Sequence, residues 1–402
     1  MGDIAGQVGR GFEAVCEAFG RGHPPEVGGA QLCVYLHGQP VLDIWTGRDV
    51  VNDRPYDGDT LTVLMSCTKA AVAVCAHKLV ERGELDLTTP IARWWPEFAA
   101  NGKERVTLAH LLSHASGLFG YEVGSGMDGR SALDWERSTG ALAAMRPYWP
   151  PGSAYLYHFI TYGFLIGEVV RRATGKSIGR QFAELVAEPL GLELWIGLPD
   201  EQQHRVAPHF LEAGVRQTRA DVLKTFADLG LDPADRLIQG LAETMEATNE
   251  LIEIMTTPEG RAAEIPAGNG VGNARSLARM YAACIGEVDG VRLLRPETLE
   301  AARTPQTDSL SGPPPLPPAP KADSQRFGLG FELPRRLIPL LGTGSFGHPG
   351  AGGRIGFANP DSGFAVGYAC NGMLWDGRNP DPRWVGWMSA LREVAADGKR
   401  DE

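Results

Sequence analysis

Ser66-Cys67-Thr68-Lys69, together with the apolar run AAVAVCA at residues 70–76, decides the fold of this chain. The apolar run predicts a buried helix that begins at Ser66. Residues three apart share one face of a helix, so the Lys69 amine can reach the Ser66 hydroxyl. A serine hydroxyl becomes a strong nucleophile when a neighbouring base takes its proton. Burial and the positive field at the start of a helix both lower the pKa of a lysine, so Lys69 can be that base.

Two further motifs follow this stretch in chain order. Residues 151–163 read PGSAYLYHFITYG, and residues 347–353 read GHPGAGG. A Ser-x-x-Lys pattern alone occurs often by chance, but three motifs in this order are specific. The chain resembles the superfamily of serine β-lactamases and penicillin-binding proteins, in its class C branch, and within that branch the family VIII carboxylesterases. The resemblance extends from about Gln31 to Met373.

The resemblance implies a role for residues of all three motifs. Ser66 would be the nucleophile, Lys69 its proton acceptor, and Tyr157 would share the acid and base work at the leaving group. The backbone N–H groups of Ser66 and Ala351 would form the oxyanion hole, in which each donor is typically worth about 3–4 kcal/mol. Around these groups, we expect substrate contacts from six residues: His348, Gly350, Phe159, His158, Tyr121 and Trp149.

Two departures from the β-lactamase pattern shift the expected substrate. Phe159 stands where β-lactamases carry an asparagine, so the amide that would bind a substrate carbonyl is missing. His348 stands where they carry a lysine, and a histidine is mostly neutral at pH 7. β-Lactam antibiotics carry a carboxylate that the lysine would help to bind. Both replacements therefore favour uncharged esters as substrates.

A second serine lies in a motif that is typical of another class of hydrolase. Residues 175–179, GKSIG, satisfy the nucleophile-elbow pattern Gly-x-Ser-x-Gly, which needs a buried strand before it and a helix after it. Residues 164–172 instead show the pattern of an amphipathic helix, for which Gly175 would be the C-terminal cap. Ser177 is therefore predicted to cap the next helix.

Three other polar residues are predicted to be structural. His110 and His114 have the spacing of a zinc pair on a predicted helix, but Leu111 stands where a zinc protease carries its glutamate. Cys67 is predicted to be a small buried packing residue, because a helix turns its side chain about 100° away from Ser66. We expect no metal and no organic cofactor.

Composition and charge exclude several classes of partner. A net charge of -11 and a pI near 5.4 argue against nucleic acid or an acidic membrane surface. The first residues lack the basic and apolar regions of a signal peptide, and no stretch reaches the roughly 18 apolar residues of a membrane span. The expected location is therefore the cytoplasm, where the six scattered cysteines would be free thiols. The expected partner is a small-molecule ester or acyl substrate.

Periodicity predicts a sheet that is interrupted by helices. Residues 5–20 show a helical pattern, and the last predicted helix covers residues 382–396. Strands are predicted at residues 30–36, 41–45, 328–333, 345–348, 354–359 and 364–371.

The resemblance implies an α/β (α+β) fold with an antiparallel sheet flanked by helices and an inserted all-helical domain. Residues 1–60 and 255–402 would form the sheet domain, and residues 61–254 the mostly helical domain. The active site would lie in the cleft between them, where binding sites commonly occur.

Three hypotheses about function follow. The first is a serine carboxylesterase that cleaves esters through a covalent acyl-enzyme on Ser66. In the second, the same acyl-enzyme serves an acyltransferase, or an amide-bond hydrolase or synthase, of a biosynthetic pathway. β-Lactamase and D-peptidase activities are further alternatives within the same chemistry. The third is a non-catalytic scaffold or filament protein, which would be expected to lack Ser66, Lys69 or Tyr157, whereas all three are present.

Overall fold

A computed structural model describes residues 3–211, 218–318, 320, 322–374 and 379–398. Its strands are β1 (Ala5–Val8), β2 (Ala30–Leu36), β3 (Gln39–Thr46), β4 (Arg48–Asp49), β5 (Arg54–Pro55), β6 (Thr62–Val63), β7 (Leu194–Trp195), β8 (Phe210–Leu211), β9 (Val271–Gly272), β10 (Phe346–Gly350), β11 (Arg354–Asn359), β12 (Phe364–Cys370) and β13 (Gly372–Met373).

The α-helices are α1 (Glu13–Arg21), α2 (Cys67–Glu81), α3 (Leu108–Leu112), α4 (Trp135–Ala144), α5 (Thr161–Thr174), α6 (Ile178–Phe182), α7 (Glu188–Leu190), α8 (Arg219–Asp228), α9 (Arg236–Ile254), α10 (Pro258–Ala262), α11 (Ala274–Ile285), α12 (Pro296–Arg303) and α13 (Pro382–Gly398). Short 3₁₀ turns cover Pro25–Val27, Ile91–Arg93, Pro96–Gly102, Arg130–Leu133 and Asp200–Arg205, and a π turn covers Ala183–Ala187.

The central sheet is antiparallel and joins the two ends of the chain. Its strand order is β1-β3-β2-β12-β11-β10, so β2 from the first part of the chain pairs with β12 from the last part. Side chains alternate between its two faces. Leu32 and Val34 of β2 pack in one apolar cluster with α1 and α13. Cys33 and Tyr35 pack in a second cluster with α2, α5 and α11 on the opposite face.

Helix α2 lies in the larger of these clusters and is buried on nearly all sides. The side chains of residues 70–76 are at most 1% exposed. A helix that is apolar all round is stable only when protein surrounds it. The sheet lies on one side of α2 through β10, and helices α5 and α6 lie on the others. The predicted buried helix is thus confirmed, and the segment just before it lies against Gly350 at the end of β10.

Most of the predicted sheet elements are confirmed. Strand β2 covers the predicted residues 30–36, and β3 extends the predicted residues 41–45 at both ends. Between them, His37 and Gly38 have φ angles of 48° and 79°, the left-handed conformation that a tight hairpin needs. Strands β10 to β12 and helix α13 agree with the other C-terminal predictions.

The helix predicted over residues 5–20 is wrong in its first half. Residues 5–8 form the edge strand β1, which pairs with β3, and α1 begins only at Glu13. Gly6 and Gly11 have φ angles of 114° and 89°, which a right-handed helix does not contain. Residues 5–8 therefore form a strand that pairs with β3, because glycines interrupt the helical pattern there.

The strand predicted at residues 328–333 is also wrong. Gly330 has a φ angle of 93°, and the chain turns back so that the Gly328 N–H donates to the Phe331 carbonyl over 2.9 Å. Glu332 makes a single bridge to Gly347 of β10. A Cβ on Gly330 would lie 2.3 Å from the Ala73 Cβ, so the turn is packed tightly against α2.

Several sequence-based expectations concern the chain as a whole. Within the described ranges, no helix is both long and apolar enough to span a lipid bilayer. The six cysteines are free, and all except the half-buried Cys16 are buried. The division into a sheet domain and a helical domain stays a prediction, and parts of both predicted domains lie outside the described residues. The cytoplasmic location also stays a prediction.

Candidate active site

A strained turn presents Ser66 at the start of α2. Met65 has a φ angle of 50°, which is costly for a residue with a side chain. Thr68 fixes this turn, because its hydroxyl donates to the Met65 carbonyl over 2.6 Å and accepts from the Gly270 N–H over 2.9 Å. Ser66 makes no side-chain capping bond to its helix. Its hydroxyl is therefore available for other contacts.

The Lys69 amine makes three hydrogen-bond contacts at this point. Its Nζ atom lies 3.1 Å from the Ser66 Oγ and 2.8 Å from each of the backbone carbonyl oxygens of Phe159 and Ala267. A carbonyl oxygen can only accept a hydrogen bond. In a neutral amine, the two carbonyls therefore take both N–H groups and the lone pair is left facing Ser66. This geometry suits a base that removes the proton of the Ser66 hydroxyl.

The surroundings of Lys69 favour the neutral amine. The side chain is 1% exposed, and burial holds its pKa well below the usual 10.5. Among the described residues, no carboxylate forms an ion pair with the amine that would oppose this shift. The sequence predicted both the contact with Ser66 and the direction of the shift. The two carbonyls could not be predicted, because any residue type carries one.

Tyr157 lies against the same pair. Its ring centre is 4.8 Å from the Lys69 Nζ, and its hydroxyl interacts with the Ser66 side chain. Burial raises the pKa of Tyr157 well above 10, while the interaction with Ser66 partly opposes this shift. The phenol is therefore protonated at neutral pH, and it can donate a proton at the Ser66 oxygen.

Other rings hold Tyr157 in place. Phe327 stacks on it with an angle of 12° and a centroid distance of 6.0 Å, and Phe159 contacts it edge-on at 5.0 Å. The ring of His114 lies 4.9 Å away. Phe159, expected to contact substrate, thus contributes both a ring beside Tyr157 and the carbonyl that binds Lys69.

His348 lies on β10 at the edge of this group, with its ring centroid 5.9 Å from that of Tyr157. Its Nδ1 atom lies 2.7 Å from the Pro349 carbonyl oxygen, so Nδ1 carries the ring proton. Burial and the nearby Lys69 lower the pKa of His348 to about 3. The ring is therefore neutral at pH 7, as the sequence predicted, and cannot replace a lysine as a cation.

The turn between β10 and β11 lies beside the start of α2. Gly350 packs against the segment that precedes Ser66, since a Cβ there would lie 2.5 Å from the Leu64 carbonyl oxygen. The next residue is Ala351, whose N–H group is the predicted second oxyanion donor. The structure thus brings the turn and the start of α2 together. The oxyanion hole itself stays a prediction.

The remaining candidate substrate contacts have polar partners within the protein. His158 is buried, with Nδ1 2.7 Å from the Leu156 carbonyl oxygen and Nε2 2.7 Å from the Ser116 hydroxyl. Trp149 is buried, and its indole N–H donates to the Ala154 carbonyl over 2.8 Å.

Tyr121 lines a small pocket with Gly120, Met127, Thr161 and Thr244, and neither Ser66 nor Lys69 belongs to that pocket. The substrate contacts predicted for Tyr121, His158 and Trp149 stay predictions.

His114 packs against Tyr157 in the candidate site, a contact that the sequence analysis did not predict. The predicted helix ends at Leu112, and His114 follows it with a φ angle of 60°. Its Nδ1 atom accepts a hydrogen bond from the His158 N–H over 3.1 Å, next to Tyr157. The spacing from His110 suggested a helix face, and only the left-handed backbone at His114 turns its ring toward Tyr157.

The alternative candidates have structural roles. Ser177 caps α6 by accepting from the Arg180 N–H, and its hydroxyl donates to the Glu264 carboxylate over 2.6 Å. Cys67 is 1% exposed, and burial raises the pKa of its thiol to about 12. His110 accepts a hydrogen bond from the Thr107 N–H as part of a helix cap. The described residues contain no group of three or more metal-binding side chains.

Comparisons with known proteins agree with this arrangement. The model of the Beta-lactamase family matches residues 22–386. The chain is 32% identical to the Esterase/beta-lactamase LipL of Mycobacterium tuberculosis, over 97% of this chain and 88% of LipL.

Solved structures give the same result. A penicillin-binding protein homologue from Caulobacter crescentus has a TM-score of 0.80 and 33% identity, covering 98% of this chain and 100% of the homologue. A family VIII carboxylesterase has a TM-score of 0.78 and 31% identity, with the same coverage of both chains. Together with the site geometry and the antiparallel sheet, these matches show that the chain belongs to the Beta-lactamase family and has its fold.

Proposed function

We propose that this protein is a serine hydrolase that cleaves uncharged carboxylic esters through an acyl-enzyme on Ser66. One observation carries the proposal: the buried Lys69 amine directs two N–H groups to backbone carbonyls and its lone pair to the Ser66 hydroxyl. The names of the relatives support hydrolysis of esters, since LipL is called an esterase/β-lactamase and one structural neighbour is a carboxylesterase.

In the first half of the reaction, the Ser66 Oγ attacks the ester carbonyl carbon while its proton moves to the Lys69 lone pair. The carbonyl oxygen becomes negative and would be held by the N–H groups of Ser66 and Ala351. The bond to the alcohol then breaks. The leaving oxygen takes a proton from the Tyr157 hydroxyl, and the tyrosine oxygen regains one from the protonated Lys69.

In the second half, a water molecule attacks the acyl-enzyme. Its proton passes to the neutral Lys69, and the tetrahedral intermediate again places its charge between the two N–H groups. When the bond to Ser66 breaks, the serine oxygen takes this proton from Lys69, which becomes neutral again, and the carboxylic acid leaves. Lys69 therefore accepts a proton at the start of each half, and Ser66 is free again at the end of the second.

The state of His348 supports an uncharged substrate. A neutral imidazole whose proton points to the Pro349 carbonyl offers a lone pair on Nε2, which repels a carboxylate. Lys69 is also neutral in this scheme, so neither side chain supplies a positive charge for an anionic substrate. β-Lactam antibiotics, which carry a carboxylate, should consequently bind poorly.

The test is a comparison of substrates with one enzyme preparation. We expect kcat/KM for p-nitrophenyl butyrate to exceed that for the β-lactam nitrocefin by at least about 100-fold, as uncompensated desolvation of a carboxylate implies. Ser66→Ala serves as the background for both reactions. A higher kcat/KM for nitrocefin, or ester hydrolysis that survives in Ser66→Ala, would overturn the proposal.

Acyl transfer to an alcohol or amine stays a sequence-based alternative. It uses the same acyl-enzyme and differs only in the molecule that attacks it. Adding methanol to the ester assay and measuring methyl butyrate against butyric acid gives the ratio of transfer to hydrolysis.

A further inference from the structure

Arg354, the first residue of β11, is a buried cation that forms no ion pair within the part of the chain that the structure describes. Its side chain is 0% exposed, and its Nη1 group donates to the Ala351 carbonyl over 3.1 Å. Among the described residues, its Nε and Nη2 groups have no hydrogen-bond partner and no carboxylate forms a salt bridge with it. A guanidinium carries a positive charge and five N–H donors, and it has no acceptor.

Other arginines with buried side chains have partners for their N–H groups. Arg261 has no described ion pair, but it donates to the Gln203 side chain over 2.8 Å and to the Thr256 carbonyl. Arg335 contacts the buried Glu332 over 2.8 Å, and Arg383 contacts the buried Asp381 over 2.6 Å. Burying an unpaired charge opposes folding, and natural proteins seldom keep one without a compensating role. Arg354 therefore needs an explanation other than stability.

The position of Arg354 next to the predicted oxyanion hole explains why a charge is buried there. The turn that it contacts carries the predicted oxyanion donor, and side chains hold three successive carbonyls of that turn. Ala351 O accepts from Arg354, Gly352 O from Arg383 over 2.5 Å, and Gly353 O from the Trp384 indole over 2.8 Å.

The glycines of the turn allow this close approach. A Cβ on Gly352 would lie 2.6 Å from the Arg354 Nη1, and a Cβ on Gly353 would lie 2.0 Å from the Arg383 Nη2. The small residues of the GHPGAGG motif thus admit two guanidinium groups against the turn.

The same turn fixes the direction of the Ala351 N–H. The Gly353 N–H donates to the Gly350 carbonyl over 3.1 Å, so this carbonyl points into the turn. A trans peptide is planar and carries its N–H opposite its C=O. The Ala351 N–H therefore points out of the turn, and the contact from Arg354 holds the following peptide in place.

We propose that Arg354 is a positioning residue for the oxyanion hole, which it supports by orienting the Ala351 peptide and by placing a buried positive charge behind it. The inference rests on the proposed ester hydrolysis. The field of Arg354 does reach the start of α2, since it lowers the pKa of the Cys67 thiol against the larger effect of burial. A charge at this place stabilises an oxyanion more than a neutral ester, and so accelerates the reaction.

The first test is Arg354→Met, which keeps the volume and removes the charge. We expect kcat for p-nitrophenyl butyrate to fall by about 10- to 100-fold with KM within about twofold, because a donor of the oxyanion hole is weakened rather than deleted. We expect the melting temperature to stay the same or rise, since an unpaired buried charge is removed. Arg354→Lys, which keeps a charge, should recover part of the lost kcat.

Arg383→Met is the matched control for stability. It also removes a buried arginine from the turn but leaves Asp381 buried without its partner, so the melting temperature should fall clearly. If Arg354→Met also lost stability or failed to fold, the role of Arg354 would be structural and the inference would be wrong.

Infrared spectroscopy of the acyl-enzyme separates this inference from the proposed function. With a ¹³C-labelled acyl carbonyl, a weaker oxyanion hole should raise the carbonyl stretching frequency in Arg354→Met relative to the wild type. An unchanged frequency and an unchanged kcat would refute the role of Arg354 while leaving the esterase proposal intact. A wild type with no acyl-enzyme band at Ser66 would instead refute the esterase proposal and, with it, the inference.

Discussion

Ser66 and Ser177 lie in two motifs that are both typical of serine hydrolases, and both serines begin a helix. Ser66 makes no capping bond, and its hydroxyl faces a buried amine whose other contacts are carbonyls. Ser177 accepts from the Arg180 N–H and donates to the Glu264 carboxylate.

The difference lies in what each hydroxyl is bonded to. The Ser177 proton is held by a carboxylate in a stable cap, whereas the Ser66 proton faces a base with a lowered pKa. A four- or five-residue pattern therefore does not identify a nucleophile by itself. The neighbouring base, which comes from the packing of distant segments around Lys69, makes the distinction.

The largest expected effect is on ester hydrolysis by the two serine variants. Ser66→Ala should lower kcat/KM by at least about 10³-fold, because the nucleophile and its oxygen are removed. Ser177→Ala should keep kcat/KM within about twofold. Initial rates with p-nitrophenyl butyrate measure both, and equal losses in the two variants would break the comparison.

The lysines beside the two serines give the next largest effect. Lys69→Met keeps the length of the side chain and removes the base, so kcat should fall by about 10²- to 10⁴-fold. Lys176 precedes Ser177 and forms an exposed ion pair with Glu184, so Lys176→Met should leave kcat unchanged. Full activity in Lys69→Met would show that another group is the base.

Tyrosine variants sharpen the account of proton transfer. Tyr157→Phe removes the hydroxyl that contacts Ser66, and we expect kcat to fall by about 100-fold. Tyr155→Phe removes a hydroxyl that donates to the Gln325 carbonyl instead, and kcat should change little. Esters with poor leaving groups should be affected more by Tyr157→Phe than p-nitrophenyl esters, since they depend more on an acid. Equal sensitivity would argue against that acid role.

The pH dependence follows from the state of Lys69. Its pKa is lowered, so the amine is a base above that pKa and a protonated, inactive group below it. The kcat/KM for an ester should therefore rise with pH through the pKa of Lys69 and then level off well below pH 10.5. His348 stays neutral above a pKa of about 3 and should add no step near neutrality. A profile that falls between pH 5 and pH 8 would contradict this assignment.

The smallest expected effect is on stability, and it reverses the order of the two serines. Ser177→Ala removes a helix cap and should lower the free energy of unfolding by about 1 kcal/mol. Ser66→Ala removes no cap and should leave this free energy unchanged or raise it, because strained active sites oppose stability. Urea unfolding of both variants measures the difference, and a larger loss in Ser66→Ala would show that Ser66 has a structural role.

The sequence predicted what depends on local pattern and failed where distant packing decides. The helix at Ser66, the strand over residues 30–36 and the cap at Ser177 follow from periodicity and capping chemistry. Residues 5–8 could not be assigned in this way, because a weak helical pattern gave way to pairing with β3.

The site shows the same limit. Ser66 and Lys69 are close in the sequence, and their contact was predictable. The carbonyl of Ala267 and the unpaired charge of Arg354 were not, because they arise where segments far apart in the chain meet. The left-handed backbone at His114 has no reliable signal in its residue type either.

Covalent labelling tests the central claim most directly. The wild type, Ser66→Ala and Ser177→Ala would be treated with a fluorophosphonate, and the labelled peptide would be located by mass spectrometry. The account predicts one label on Ser66 in the wild type and in Ser177→Ala, and none in Ser66→Ala. A label on Ser177, or labelling that persists in Ser66→Ala, would contradict it.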